Sequence, residues 1–225
     1  MIKKGLLAIS SLAALLVVGM VGGLSGPAYA DSFNFTSDHC TGGCGPQDSF
    51  GTVTVTQDGT SVDFLVSLNN SNQFILTGSA DNQYFKFNAT DVLVTDITVT
   101  QNVSGVVLIA DTGALNGDGT GEFDFGITCT PIAPNTSCAV GGGAALPVGT
   151  ILSFSIANAT IADVTAPNNL GNIFVADILS GTTGKTGPVD VTGPGVPEPA
   201  SLLLLGAGLA GIGLSQWKRR KAGQA

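Results

Sequence analysis

Serine and cysteine nucleophiles need a base, usually histidine, held in turn by a third group. This chain of 225 residues has one histidine, His39, set beside Cys40 with Cys44 close behind. It has no Gly-x-Ser-x-Gly elbow to expose a serine. Glycoside hydrolysis asks for two carboxylates across a sugar. The stretch from Asp31 to Gly195 holds Glu122 and many aspartates, and nothing in their spacing singles out a pair. The expectation is a protein without enzymatic activity, no catalytic residue being assigned. A secreted hydrolase is the weakest reading.

Two groups can bind or cross-link. Cys40, Cys44, Cys129 and Cys138 are the four cysteines. In an oxidising compartment they read as disulfides, and four allow three pairings. The simplest joins Cys40 to Cys44 and Cys129 to Cys138; a pairing across the two loops stays open. A zinc site would need four converging ligands with reduced thiolates, His39 among them. The second group is the run Asn116-Gly117-Asp118-Gly119-Thr120-Gly121-Glu122-Phe123-Asp124. Calcium prefers oxygen ligands on a Gly-bent loop, and Asn116, Asp118, Glu122 and Asp124 offer them. The full EF-hand spacing fails, because Ile127 stands where the bidentate Glu belongs. A polar turn feeding a strand explains the same residues. The expectation is therefore no cofactor, with calcium as the alternative.

The residues from Asp31 to Gly195 must position these groups. Of sixteen acidic residues only Glu198 lies outside this body, leaving fifteen. Of eight basic residues, Lys3, Lys4 and a cluster of four near the C-terminus lie outside, leaving Lys86 and Lys185. The body thus carries a net charge of −13. That argues against nucleic acid and anionic membrane surfaces as partners, since both require cationic patches. Apolar and polar residues alternate with period two at Phe33–Phe35, Val53–Val55, Val62–Leu68, Phe123–Ile127 and Leu152–Ile156. Asp58-Gly59 is a hairpin signal between two such runs. Val92–Val99, Ala159–Val164 and Asn172–Leu179 also read as strands, and 131–149 as loop. About ten short strands with frequent turns predict an all-β fold, an antiparallel β-sandwich of jelly-roll type in a single domain. Residues 181–195, mostly Gly, Thr, Pro and Val, read as an extended linker.

The two ends are addresses. Lys3 and Lys4 precede an apolar run from Gly5 to Leu24, and Ala28-Tyr29-Ala30 is a small-x-small cleavage site. Residues 1–30 are expected to be a signal peptide recognised by the Sec machinery, with Ala28 and Ala30 at the cleavage site and Asp31 as the new N-terminus. At the other end stand Val196-Pro197-Glu198-Pro199, an apolar run from Ala200 to Trp217, and Lys218-Arg219-Arg220-Lys221. As a helix that run spans about 27 Å at a rise of ~1.5 Å per residue. A bilayer core is ~30 Å thick, so the run predicts a short transmembrane helix. Trp217 sits at the interface and the four cations form the cytoplasmic stop.

Those three parts, in that order, resemble the PEP-CTERM sorting signal. The resemblance covers the last thirty residues, 196–225. It implies that the tail is a temporary inner-membrane anchor with its C-terminus in the cytoplasm. It also implies that an exosortase, a membrane-embedded protease-transpeptidase of Gram-negative bacteria, processes the Pro-Glu-Pro region. The expected organisation is then a signal peptide over 1–30, an extracytoplasmic domain over 31–180, a linker over 181–195 and the sorting signal over 196–225. The expected destination is the cell surface or extracellular matrix. The expected role is structural or adhesive in a biofilm, with extracellular polysaccharide as a partner. The alternative is a carbohydrate- or calcium-binding module.

Overall fold

In the computed structural model, the structure describes residues 29–77, 82–100, 106–130, 147–193 and 196–197. They form two antiparallel sheets. One contains β1 (Tyr29–Phe35), β3 (Gly51–Asp58), β4 (Ser61–Leu68), β7 (Ile97–Val99), β10 (Ile151–Ala157) and β13 (Val196–Pro197). Its order is β13-β1-β3-β4-β10-β7. The other contains β2 (Ser37–Asp38), β5 (Gln73–Phe74), β6 (Phe85–Phe87), β8 (Val107–Asn116), β9 (Glu122–Thr130), β11 (Asn172–Leu179) and β12 (Thr186–Thr192). Its order is β2-β12-β11-β6-β9-β8, with β5 also paired to β11.

The period-two runs become strands with their apolar face inward. In the β3–β4 hairpin Val53 lies opposite Val66 and Val55 opposite Phe64, while Thr52, Thr54 and Thr56 occupy the other face. The two-residue turn is Gly59-Thr60, one position later than expected, between Asp58 and Ser61. Gly59 takes a φ of 59°, where glycine carries no steric cost. Strand β10 repeats the pattern against β4, with Phe154 opposite Phe64. Phe64 stacks on Phe154 at 4.5 Å and meets Phe174 of the second sheet edge-on at 5.8 Å. Phe85, Phe87 and Phe33 complete a ring cluster that joins the two sheets.

Three stretches depart from the sequence reading. Thr186–Thr192 is not linker: it is β12, flanked by β2 and β11 and buried over five consecutive residues. The segment carrying the first two cysteines lies on it, with the His39 N–H donating to the Pro188 carbonyl at 2.9 Å. A Cβ at Gly187 would stand 2.5 Å from the Cα of Cys40, so only glycine admits that approach. Ala159–Val164 is not a strand. Ile161–Val164 forms one helical turn, capped as Thr160 Oγ1 donates to Asp163 Oδ2 at 2.7 Å. The carboxylate accepts from the Thr160 side chain and backbone, and both bonds hold its pKa below the usual value. Of Val92–Val99 only Ile97–Val99 is strand, following a 3-10 turn at Val94–Asp96.

Candidate functional site

Most of the sorting signal, from Glu198 onward, lies outside the described residues, as does Ala28. Among the described residues no helix is long and apolar enough to cross a membrane. The span expected over 200–217 and the stop at Trp217, Lys218, Arg219, Arg220 and Lys221 fall outside them. The first two residues of the signal are placed. Val196 and Pro197 form β13 on the edge of the first sheet, with Ser32 opposite Val196 and Asp31 opposite Pro197. Ala30 lies in β1 opposite Thr56 of β3. Cleavage after Ala30 would leave Asp31 to Phe35 to hold the strand. The expected new N-terminus and the start of the sorting signal are thus neighbours on one edge.

His39 meets two groups. Its Nε2 lies 2.6 Å from Asp190 Oδ2, and Ser37 Oγ is 3.5 Å from the same nitrogen. A proton relay requires the hydroxyl on one ring nitrogen and the carboxylate on the other. Here both crowd Nε2, and this trio is not arranged as a relay. The Asp190 side chain is only 2% exposed. Burial raises its pKa above the ordinary 3.8, against the opposing pull of His39 and Ser37. Sequence reading did not find this pair, since its members are 151 positions apart.

Cys40 and Cys44 are joined in a disulfide. Asp38 is close to both sulfurs, within 4.8 Å. A cystine sulfur is not a thiolate, so this cluster lacks the ligands of a zinc site. Cys129 is disulfide-bonded as well. Cys138, its partner in the simplest pairing, lies outside the described residues. The Tyr84 hydroxyl is buried and donates to Cys129 Sγ at 3.3 Å. Burial pushes the phenol up to about 12 from 10.0. Between those two values the unfolded chain gives up this proton and the folded chain keeps it. Stability is therefore expected to fall as pH rises through that window, by about 1.4 kcal/mol per pH unit. Urea midpoints taken near about pH 9 and about pH 11 should show this excess loss in the native protein and not in Tyr84→Phe.

The acidic loop forms the β8–β9 connection. Asn116 lies opposite Glu122, and its carboxamide oxygen accepts the Asp118 N–H at 3.1 Å. Asp118 sits at a φ of 47°, a conformation open to aspartate. The Thr120 hydroxyl closes the turn on the Gly117 carbonyl at 2.6 Å. Glu122 and Asp124 point outward from β9, on the opposite side to Phe123. They line an open cavity of about 420 Å³ together with Asn88, Asn168 and Asn169. Asn116 and Asp118 are not part of its lining. Two of the four calcium candidates are thus brought together, among carboxamides that sequence spacing did not foretell.

One further cluster escaped the sequence reading. Lys86 Nζ of β6 lies 2.7 Å from Asp177 Oδ2 of β11, with neither side chain exposed. Thr77 Oγ1 donates to the other carboxylate oxygen, Oδ1, at 2.8 Å.

Residues 195–220 match the family model of the PEP-CTERM protein-sorting motif. The chain carries this motif where the Pro-Glu-Pro signature stands. It implies an exported protein, transiently anchored by its C-terminus and processed by exosortase, a membrane-associated sorting enzyme. No curated protein and no solved structure matches the chain.

Proposed function

We propose that this exosortase-sorted chain delivers a β-sandwich domain to the cell surface or extracellular matrix, where it acts as a structural or adhesive component. The observation that carries this reading is the PEP-CTERM match over 195–220. The signal-peptide pattern ahead of Asp31 supports export through the Sec route. A body with a net charge of −13 and two basic residues is suited to an aqueous polysaccharide matrix and not to nucleic acid. The function needs no catalytic residue. The tail spans the inner membrane with its basic end in the cytoplasm until exosortase acts.

A second reading is supported by the cavity of Asn88, Glu122, Asp124, Asn168 and Asn169. Carboxamides and carboxylates are groups that match sugar hydroxyls or a hard cation. Under that reading the domain binds carbohydrate, or calcium, and adheres through it.

The test is the mass of the mature protein recovered from the cell envelope and the medium. The expected species begins at Asp31 and ends near Pro197 to Pro199. A species that retains Trp217 and Lys221 at the surface would overturn the sorting route. The adhesive role predicts retention by purified extracellular polysaccharide, and weaker retention after Glu122→Gln with Asn168→Ala if the cavity does the binding.

A further inference from the structure

Lys86 and Asp177 lie on neighbouring antiparallel strands. Lys86 is opposite Val175, so Asp177 is its diagonal neighbour on the same face of the sheet. This face is turned away from the phenylalanine cluster, yet both side chains are fully buried. The cover is visible next to Lys86, at Gly126 of β9. A Cβ there would meet the side chains of Gln83 and Leu115. Residues just after β5 and just before β6 hold the Asp177 backbone on the edge of β11 away from β12. Ile75 donates to the Asp177 carbonyl, and the Asp177 N–H donates to the Tyr84 carbonyl, both at 3.1 Å. The carboxylate is therefore fixed, with Oδ2 on the Lys86 amine and Oδ1 on the Thr77 hydroxyl.

A buried ammonium and carboxylate recover little net stability from their attraction, because each has lost its water. An amide between them removes both charges. Here the reacting groups are already in contact, oriented and dry, which is what raises the rate of an intramolecular condensation. We propose that Lys86 and Asp177 join in an intramolecular amide that covalently staples β6 to β11. The Lys86 ammonium first passes one proton to Asp177 Oδ2. The freed amine nitrogen attacks Cγ and the C–N bond forms. The negative charge that develops on Oδ1 is held by the Thr77 hydroxyl, in the role of an oxyanion donor. The nitrogen then gives a second proton to Oδ2, the C–Oδ2 bond breaks, and Oδ2 leaves as water while Oδ1 returns to a carbonyl. One amide and one water are formed from one amine and one carboxyl group, with no oxidant, reductant or cofactor consumed.

The sequence makes the test simple. Lys86 and Lys185 are the only basic residues between Asp31 and Gly195, so trypsin has two sites in the body. The exported protein is purified, its disulfides are reduced and capped, and it is denatured and digested. The expected product is a single fragment from Asp31 to Lys185, uncut at Lys86 and lighter by one water than its sequence with four capped cysteines. Two separate fragments, 31–86 and 87–185, each at full mass, would overturn the proposal. Lys86→Arg keeps a cation against Asp177 but offers no amine that condenses this way. It is expected to give full mass and cleavage at position 86, and a water-deficient Lys86→Arg protein would also overturn the proposal. Thr77→Val is expected to leave a larger unlinked fraction at equal age, and an unchanged fraction would remove Thr77 from the step.

Discussion

A chain in which Pro197, Glu198 and Pro199 are all replaced by alanine is expected to keep its C-terminal tail and to stay in the inner membrane. Two prolines fix their own φ and push the preceding residue toward extended backbone. By these rules they would end the expected helix and favour extended backbone at Glu198. Alanine is the best helix former, so the substitution removes the charge and also invites the helix to continue past the bilayer. Both changes are expected to act against a sorting enzyme that recognises this segment. If the three side chains contribute even two contacts of about 1.4 kcal/mol each, processing falls by roughly a hundredfold. The measurement is the C-terminal peptide of the protein in the envelope and the medium. Full release with an unchanged C-terminus would refute recognition through these residues. Glu198→Gln separates the two causes, since it removes the charge and leaves the backbone restraint.

Phe64→Ala is expected to bring the body close to unfolding. Phe64 is 2% exposed and central to the ring cluster. It stacks on Phe154 at 4.5 Å, lies 5.5 Å from Phe87, and meets Phe85 and Phe174 edge-on. Removing a buried phenylalanine costs about 3–5 kcal/mol in lost transfer energy and residual cavity. Each such ring pair adds about 0.5–1.5 kcal/mol beyond burial, so the upper part of that range applies. Domains are stable by only about 5–15 kcal/mol. For a body of this size the melting temperature should fall by roughly 10–20 °C. Phe64→Leu, which keeps most of the volume, should cost markedly less. A shift of a degree or two for Phe64→Ala would mean that the two sheets do not depend on this cluster.

The parts of the fold that were legible in the sequence are those in which one face is wet and the other dry. Val53 and Val55, Phe123 and Phe125, and Leu152 to Ile156 announce their strands because their alternation matches the pleat. Strand β12 was hidden for the opposite reason. It is covered on both faces, and its Thr186-Gly187-Pro188 start is the composition of a linker. Its place is set by long-range partners: β11 on one side, and the cysteine loop, whose backbone closes on Gly187, on the other. The helical turn at Ile161 was masked by β-branched residues, although Thr160 and Asp163 stand at capping distance and were a usable signal.

The candidate sites divide along the same line. The sorting signature was readable because its parts are contiguous and ordered. The disulfide of Cys40 and Cys44 was among the readable pairings because the loop is short. His39 with Asp190, and Lys86 with Asp177, were not readable, being separated by 151 and 91 positions. Only the topology brings them together.

The pairing of Ser32 with Val196 and of Asp31 with Pro197 sets how the domain is displayed. If the C-terminus is processed as the motif implies, whatever accepts it would take hold of the molecule at the β1 side of the first sheet, beside the expected amino terminus. The β7 side, at the far end of that sheet, then becomes the distal face. On that reading the domain would stand on its support like a flag on a short staff at one margin. Both ends of the domain lie at the hoist.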